Sequence, residues 1–282
     1  MGGEGSRPRK LAPLTHDPSP PRGEGRKTDT TLSGCLVSAV AFALDGNTLV
    51  TGDCSKQLKV WDLRKREVQH VFKDPQDRVR SVCISPDGQY VGGGGRDTRE
   101  IDEYPVARVW RVSDEEVPHV LQGFEHTITT LAFTPDGKTL ATGSHDGSVR
   151  LWDTVTWTER SRLQQALRSH GGVVITVSPD GRLLAAGDEW GVVHVWDLQI
   201  ENKLFEANGH TDEVWALAFR TLATGSKDTT VRLWQVATGK EMLILRDHDA
   251  KVSAVAFSPD GKILASGDHN GVLKLWHSDP RR

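Results

Sequence analysis

Cysteine is scarce in this sequence, with Cys35, Cys54 and Cys83 alone among 282 residues. So small, odd and scattered a set excludes a disulfide framework as the basis of the fold. It points to a reducing compartment, here read as the cytoplasm. Cys54 falls in an inter-strand turn and reads as a bystander thiol. Long hydrophobic runs are missing too. No stretch approaches the roughly 20 apolar residues that span a bilayer, so no membrane association is expected. The basic N-terminus is followed by no apolar core, which excludes a secretory signal. Charge of one sign is not in excess. The formal net charge is −3 and the pI about 6.4, giving no global attraction to nucleic acid or anionic lipid. Sustained 3.6-residue apolar periodicity is absent, which argues against a helical fold. Catalytic signatures are absent as well. Gly92–Gly95 lacks the following Lys-Ser/Thr of a phosphate loop, and no nucleophile elbow or metalloprotease helix motif occurs. The chain is therefore not expected to be an enzyme, and no cofactor and no metal are expected.

What the sequence does have is a repeat. Trp61, Trp110, Trp152, Trp196, Trp234 and Trp276 fall 49, 42, 44, 38 and 42 residues apart. The long spacing holds an insertion at Arg96–Ala107; the short one lacks four residues at Phe219–Thr221. Repetition at such a period means one array of supersecondary units. Each copy follows one script: an apolar strand such as VSAVAF (Val37–Phe42), in four copies a Pro-Asp-Gly turn, a short strand ending in Gly, a polar turn, then an alternating strand ending in Trp. Pro presets φ and Gly accepts positive φ, so Pro86–Gly88, Pro135–Gly137, Pro179–Gly181 and Pro259–Gly261 are turn chemistry. A fourth, weaker strand follows, such as Lys240–Leu245. Short strands separated by regular turns predict an all-β fold. A radial ring of small sheets closes such an array while leaving only short edges. Residues 1–27 differ, with five Pro, five Gly and few apolar side chains. They are expected to form a disordered leader, and they resemble translated interspersed repeats of bacterial genomes. The array is assigned to residues 28–282.

The combination of Gly-His, Ser/Thr-Pro-Asp-Gly, a polar turn and Trp-Asp resembles the WD-repeat β-propeller family. The resemblance implies a propeller of about six four-stranded blades, with an incomplete seven-bladed ring as the alternative. It also implies a hydrogen-bonded group of His, Ser/Thr, Asp and Trp inside a blade. The fifth copy supplies His210, Thr224, Asp228 and Trp234. The sixth has His248, Ser266 and Trp276 with Asn270 in the acid's place. The third has Thr142, Asp146 and Trp152, with Phe124 where His belongs. The first keeps Thr51 and Trp61, the fourth Trp196, the second Trp110. Blades five, six and three are expected to be the better ordered. Residues 27–32 are the candidates for the outer strand of the last blade.

In similar proteins the face formed by loops before the first strand and between the second and third strands contacts partners. Carried over by position, the candidates here are Arg78, Arg80, His145, Glu189, Glu213, Trp215, Lys227, Lys251 and His269. Trp215 stands where other copies carry Ser38, Arg80, Thr129, Val173 and Ser253, and it is expected to be an exposed aromatic anchor. Arg78 and Arg80 suit an acidic partner, and the insertion at Arg96–Ala107 lengthens a loop on the same face. His126, His145, His170 and His269 come from different copies, and a metal site needs three or more converging ligands. The resulting expectation is a non-catalytic scaffold for protein or peptide partners, monomeric or part of a larger complex, with no nucleic acid and no membrane among its partners. Two alternatives stand beside it: an enzyme or metal-binding propeller using the central channel, and a truncated or decayed propeller.

Overall fold

A computed structural model of the chain describes residues 36–73, 78–95, 105–163 and 172–277, with the backbone alone for 114–117. The leader, the candidate closing strand at 27–32, Cys35, His170 and residues 96–104 of the insertion lie outside the described residues. Blade one holds β1 (Val37–Phe42), β2 (Thr48–Asp53), β3 (Gln57–Asp62) and β4 (Glu67–Lys73). Blade two holds β5 (Val79–Ile84), β6 (Tyr90–Gly95), β7 (Ala107–Arg111) and β8 (Asp114–Leu121). Blade three holds β9 (Ile128–Phe133), β10 (Thr139–Ser144), β11 (Val149–Asp153) and β12 (Glu159–Leu163). Blade four holds β13 (Val174–Val177), β14 (Leu183–Gly187), β15 (Val192–Asp197) and β16 (Asn202–Asn208). Blade five holds β17 (Val214–Ala218), β18 (Leu222–Ser226), β19 (Val231–Gln235) and β20 (Lys240–Leu245). Blade six holds β21 (Val252–Phe257), β22 (Ile263–Asp268) and β23 (Leu273–His277). Every sheet is an antiparallel meander in chain order, and the sixth has three strands among the described residues.

The first strands pack on one another in the series β1, β5, β9, β13, β17, β21 and so form the inner wall. Five apolar cores join neighbouring blades. Each is filled chiefly by apolar side chains of one blade's third strand against the first strand and Trp of the next. Leu58, Val60 and Phe72 thus meet Val79, Val82 and Trp110.

Small residues set the blade spacing. The second strand carries glycine at one register in all six blades: Gly52, Gly94, Gly143, Gly187, Gly225 and Gly267. A Cβ at Gly52 would lie 2.4 Å from Val79, at Gly187 2.5 Å from Val214, and at Gly225 2.7 Å from Val252, in each case the next blade's first strand. At Gly267 the nearest atom is Ala254 Cβ of the same blade, at 3.9 Å. Gly225→Ala is therefore expected to cost about 1–3 kcal/mol through overpacking, and Gly267→Ala almost nothing. Thermal unfolding of the two variants checks this, and equal losses would refute it.

The shortened connection in blade five does not break the sheet. Ala218 still pairs with Ala223 across Phe219–Leu222. In the regular blades a turn proline meets the next blade's turn glycine: Pro86 faces Gly137 and Pro135 faces Gly181. Blade five has no such proline. Arg220 fills that place, covering Gly261 and donating from Nη1 to the carbonyl of Pro259 at 2.8 Å.

Candidate functional site

The blades are held rigid by polar relays on one register. In blade five, Trp234 Nε1 donates to Thr224 Oγ1 at 2.9 Å, and Thr224 lies 2.6 Å from His210 Nε2. His210 Nδ1 lies 2.8 Å from Asp228 Oδ2. One proton assignment satisfies every partner: the hydroxyl accepts from Trp234 and donates to Nε2, and Nδ1–H donates to the carboxylate. Burial pushes the Asp228 carboxyl up, but hydrogen bonds from His210 and Thr230 outweigh it and hold the group well below its ordinary value.

Blade six builds the same relay with a different acid. Trp276 Nε1 donates to Ser266 Oγ at 2.8 Å, and Ser266 lies 2.7 Å from His248 Nε2. The partner of His248 Nδ1 is Asp268 Oδ2 at 2.8 Å, not Asn270. Asp268 sits on β22 two residues before the turn position. Its second oxygen accepts from the backbone of Asn270 at 2.9 Å and Val272 at 3.0 Å. Asn270 is thus a turn residue, exposed, and takes no part in the relay. Blade three keeps Trp152 Nε1 to Thr142 Oγ1 at 3.0 Å. Phe124 is fully buried there, and the Arg150 guanidinium lies over its ring at 4.7 Å. Asp146 turns to Arg150 at 3.8 Å and accepts from the backbone N–H of Glu125.

A further column escaped the sequence reading. Opposite the relay position of β2, β6, β10, β14, β18 and β22 stand Lys59, Arg108, Arg150, His194, Arg232 and Lys274. Five have an acidic partner given by geometry. Lys59 meets Asp53, Arg150 meets Glu159, His194 meets Asp188, Arg232 meets Glu241 and Lys274 meets Asp247. Blade four, which retains only Trp196 of the relay, is stiffened instead by the buried His194–Asp188 pair at 3.1 Å. The signal was present in the sequence, as a basic residue two before each repeat Trp.

The first strands shape the candidate binding site. In five blades they carry a β-bulge at Ser38, Arg80, Thr129, Trp215 and Ser253. A bulge adds a residue to one strand and re-aims its side chain. All five bulge residues line a cavity of about 500 Å³ whose wall is built from all six blades, together with Arg78, Glu213, Val174 and Cys54. Blade four departs from the sequence alignment. Its first and second strands pair without a bulge, and Val173 is fully buried instead of facing the cavity. Val173 packs beside Gly143, as Val79 does beside Gly52.

Backbone hydrogen bonds tie the two rim loops together, from Cys54 to Leu36, His145 to Thr127, Lys227 to Glu213 and His269 to Lys251. Arg78 and Arg80 are exposed at the cavity. Trp215 is half-buried, not fully exposed as the sequence predicted. Its ring meets His269 at 4.9 Å, and Lys251 Nζ lies over it at 5.3 Å. Lys227 pairs with Asp212 at 3.1 Å. Burial and the nearby Arg80 charge hold His145 below its ordinary value, with Glu213 and Glu189 opposing. Of the nine candidate contact residues, Arg78, Arg80, Glu213 and Trp215 line the cavity, and His145, Lys227, Lys251 and His269 lie on the hydrogen-bonded rim loops. Cys54 is disulfide-bonded and so is not the free thiol the sequence suggested, which removes the thiol argument for a reducing compartment. Cys83 is free, and burial pushes its thiol up to about 12. Among the described residues no three His, Cys, Asp or Glu side chains converge as metal ligands, and no helix is long and apolar enough to cross a membrane.

Six meander sheets packed through their first strands, with a relay anchored on Trp, define a repeat-built β-propeller. The chain belongs to the WD domain, G-beta repeat family, which matches residues 26–62, 66–99, 115–153, 161–197, 201–235 and 239–277. It is 26% identical over 245 residues to the serine-threonine kinase receptor-associated protein of Gallus gallus, covering 86% of this chain and 55% of that protein. It is 30% identical over 261 residues to periodic tryptophan protein 2 of Arabidopsis thaliana, covering 86% of this chain and 26% of that protein. A 78-residue stretch is 38% identical to coronin-7 of Mus musculus, covering 26% of this chain and 8% of that protein. The chain therefore spans only part of the length of these relatives.

Proposed function

We propose that the chain is a non-catalytic scaffold that binds a protein or peptide at the mouth of the inner wall. The observation that carries this reading is the cavity, where bulge side chains from five blades converge on a single opening. Membership of a repeat family whose propellers serve as interaction platforms supports it. Rigid sheets and paired rim loops hold Arg78, Arg80, Glu213 and Trp215 in place before any partner arrives, which lowers the ordering cost of binding. Trp215 offers a flat apolar face with Lys251 and His269 packed on it. The two arginines offer forked donors suited to carboxylates. An acidic segment with an apolar side chain fits this combination.

Affinity capture with the purified chain tests the proposal. The expected result is one set of proteins retained by the wild type and lost with Trp215→Ala and with Arg78→Glu/Arg80→Glu. A loss of at least about tenfold in affinity is expected for Trp215→Ala, the scale of a central aromatic anchor. Retention of the same proteins by both variants would reject the site.

A further inference from the structure

Among the described residues that line the cavity, three carry charge, and they stand on two walls. Arg78 and Arg80 come from blade two and Glu213 from blade five. Both walls are built in the same way. The first strand buries one valine against the preceding blade's glycine, Val79 on Gly52 and Val214 on Gly187. Successive side chains of a strand point to opposite faces, so the residues on either side of that valine turn into the cavity. In blade two these are the two arginines, and in blade five they are Glu213 and Trp215. Strands β9 and β13 lie between β5 and β17 along the inner wall, which sets the two pairs across the cavity from one another.

These charges are not paired off. Lys59, Arg150, Arg232 and Lys274 each have a carboxylate partner, and on the rim Lys227 has Asp212. Among the described residues Arg78, Arg80 and the Glu213 carboxylate have no ion-pair partner. His145 stands between the two walls. Burial first, and then the charge of Arg80, hold it low, while Glu213 and Glu189 draw it up. Both walls are therefore within electrostatic reach of one small ligand. The ligand that satisfies them is negative at one end, positive at the other, and apolar beside its positive end.

We infer that the cavity holds the amino-terminal end of a peptide, its ammonium on Glu213, its first side chain on Trp215 and an acidic side chain a few residues on at Arg78 and Arg80. This rests on the reading of the cavity as a peptide site and adds which part of the peptide enters it. A first residue carries its ammonium and its side chain on one carbon, which matches a carboxylate and an indole offered by one short stretch of strand. A lysine ammonium stands instead at the end of a flexible four-carbon stem. The arginine forks suit the carboxylate of an acidic side chain. A cavity of about 500 Å³ is of the size of a built ligand site. With one opening it admits a chain end, whereas a segment from mid-chain would have to enter and leave by the same mouth.

Capture of a randomised octapeptide library on the immobilised full chain tests the inference. The library is made once with free and once with acetylated amino termini, and retained peptides are read by mass spectrometry. The expected set has free amino termini, an apolar first residue and Asp or Glu among the next few. The most strongly retained sequence, labelled at its carboxyl end, should bind at least about tenfold more tightly free than acetylated. Glu213→Gln should erase that difference, and Arg78→Gln/Arg80→Gln should weaken both forms by the same factor. Glu213 accepts from Lys227 through its backbone, so Glu213→Gln should keep the wild-type melting temperature. The acetylation arm uses the wild type and depends on no variant. Affinity for the free form should fall as pH rises through about 8, where an α-amino group loses its proton, and not near 10, where a lysine would. Free and acetylated peptides retained alike, and both lost with Trp215→Ala, would overturn the amino-end inference and leave the site standing. Retention unchanged by Trp215→Ala, or no retention of any peptide, would overturn both.

Discussion

Thr224→Val is expected to be among the most damaging single changes in the chain. Valine matches threonine in shape, so the loss is one of hydrogen bonding and not of packing. The hydroxyl is fully buried and serves two partners, the Trp234 indole N–H at 2.9 Å and His210 Nε2 at 2.6 Å. Removing it leaves both without a partner in a dry site, and each buried orphan costs about 1–3 kcal/mol. The expected total is about 2–5 kcal/mol, a large share of the stability of an ordinary domain. Thr142→Val should cost less, because Phe124 replaces the histidine and only the Trp152 indole is orphaned. Thr51→Val should cost least, since Trp61 is half-exposed and water can reach its N–H. Chemical denaturation of the three variants should give losses in the order 224, 142, 51. Equal losses, or the reverse order, would show that the hydroxyl contributes through packing alone.

Asp228→Asn is the second large effect, and it carries a pH signature. Asp228 accepts from His210 Nδ1, from the backbone of Thr211 and Thr230, and from the Thr230 hydroxyl. An amide can keep the same outline but turns an N–H₂ toward one set of donors, so about 1.5–3 kcal/mol is expected to be lost at neutral pH. The folded-state pKa of Asp228 is depressed. Its contribution is therefore fully present above the unfolded carboxylate value and is lost as pH falls through the folded one. The stability gap between wild type and Asp228→Asn should narrow between about pH 5 and pH 2. Urea titrations at several pH values measure it. A gap that stays constant, or widens toward acid, would mean that the carboxylate charge does not hold the relay.

Much of this architecture was legible in the sequence. Six copies, their strand order and the all-β class follow from periodicity of Trp, turn residues and short apolar strands, all properties of neighbours along the chain. The indole-to-hydroxyl contacts join β18 to β19, β10 to β11 and β22 to β23, strands linked by one turn, so a fixed spacing places both ends. The acid of blade six was not legible. Asp268 and Asn270 both lie near the turn, and only the direction each side chain takes relative to His248 separates them. Val173 was misplaced because an alignment assumes a bulge that blade four lacks, and a one-residue change of register turns a side chain from the cavity to the core. Trp215 read as exposed because its neighbours Lys251 and His269 come from the next blade.

The sequence by itself therefore determined what each blade is. Local spacing and turn chemistry suffice to pair adjacent strands and to bring Trp, hydroxyl and histidine together. Only the tertiary structure decided how blades meet: Arg220 filling a missing turn against Gly261, and bulge side chains converging on one cavity. The physical reason is that burial between blades depends on which residues arrive from distant parts of the chain. Within the same VSAVAF sequence, Val255 and Phe257 are half-buried in blade six while Val40 and Phe42 are exposed in blade one, so no local pattern could tell the two apart.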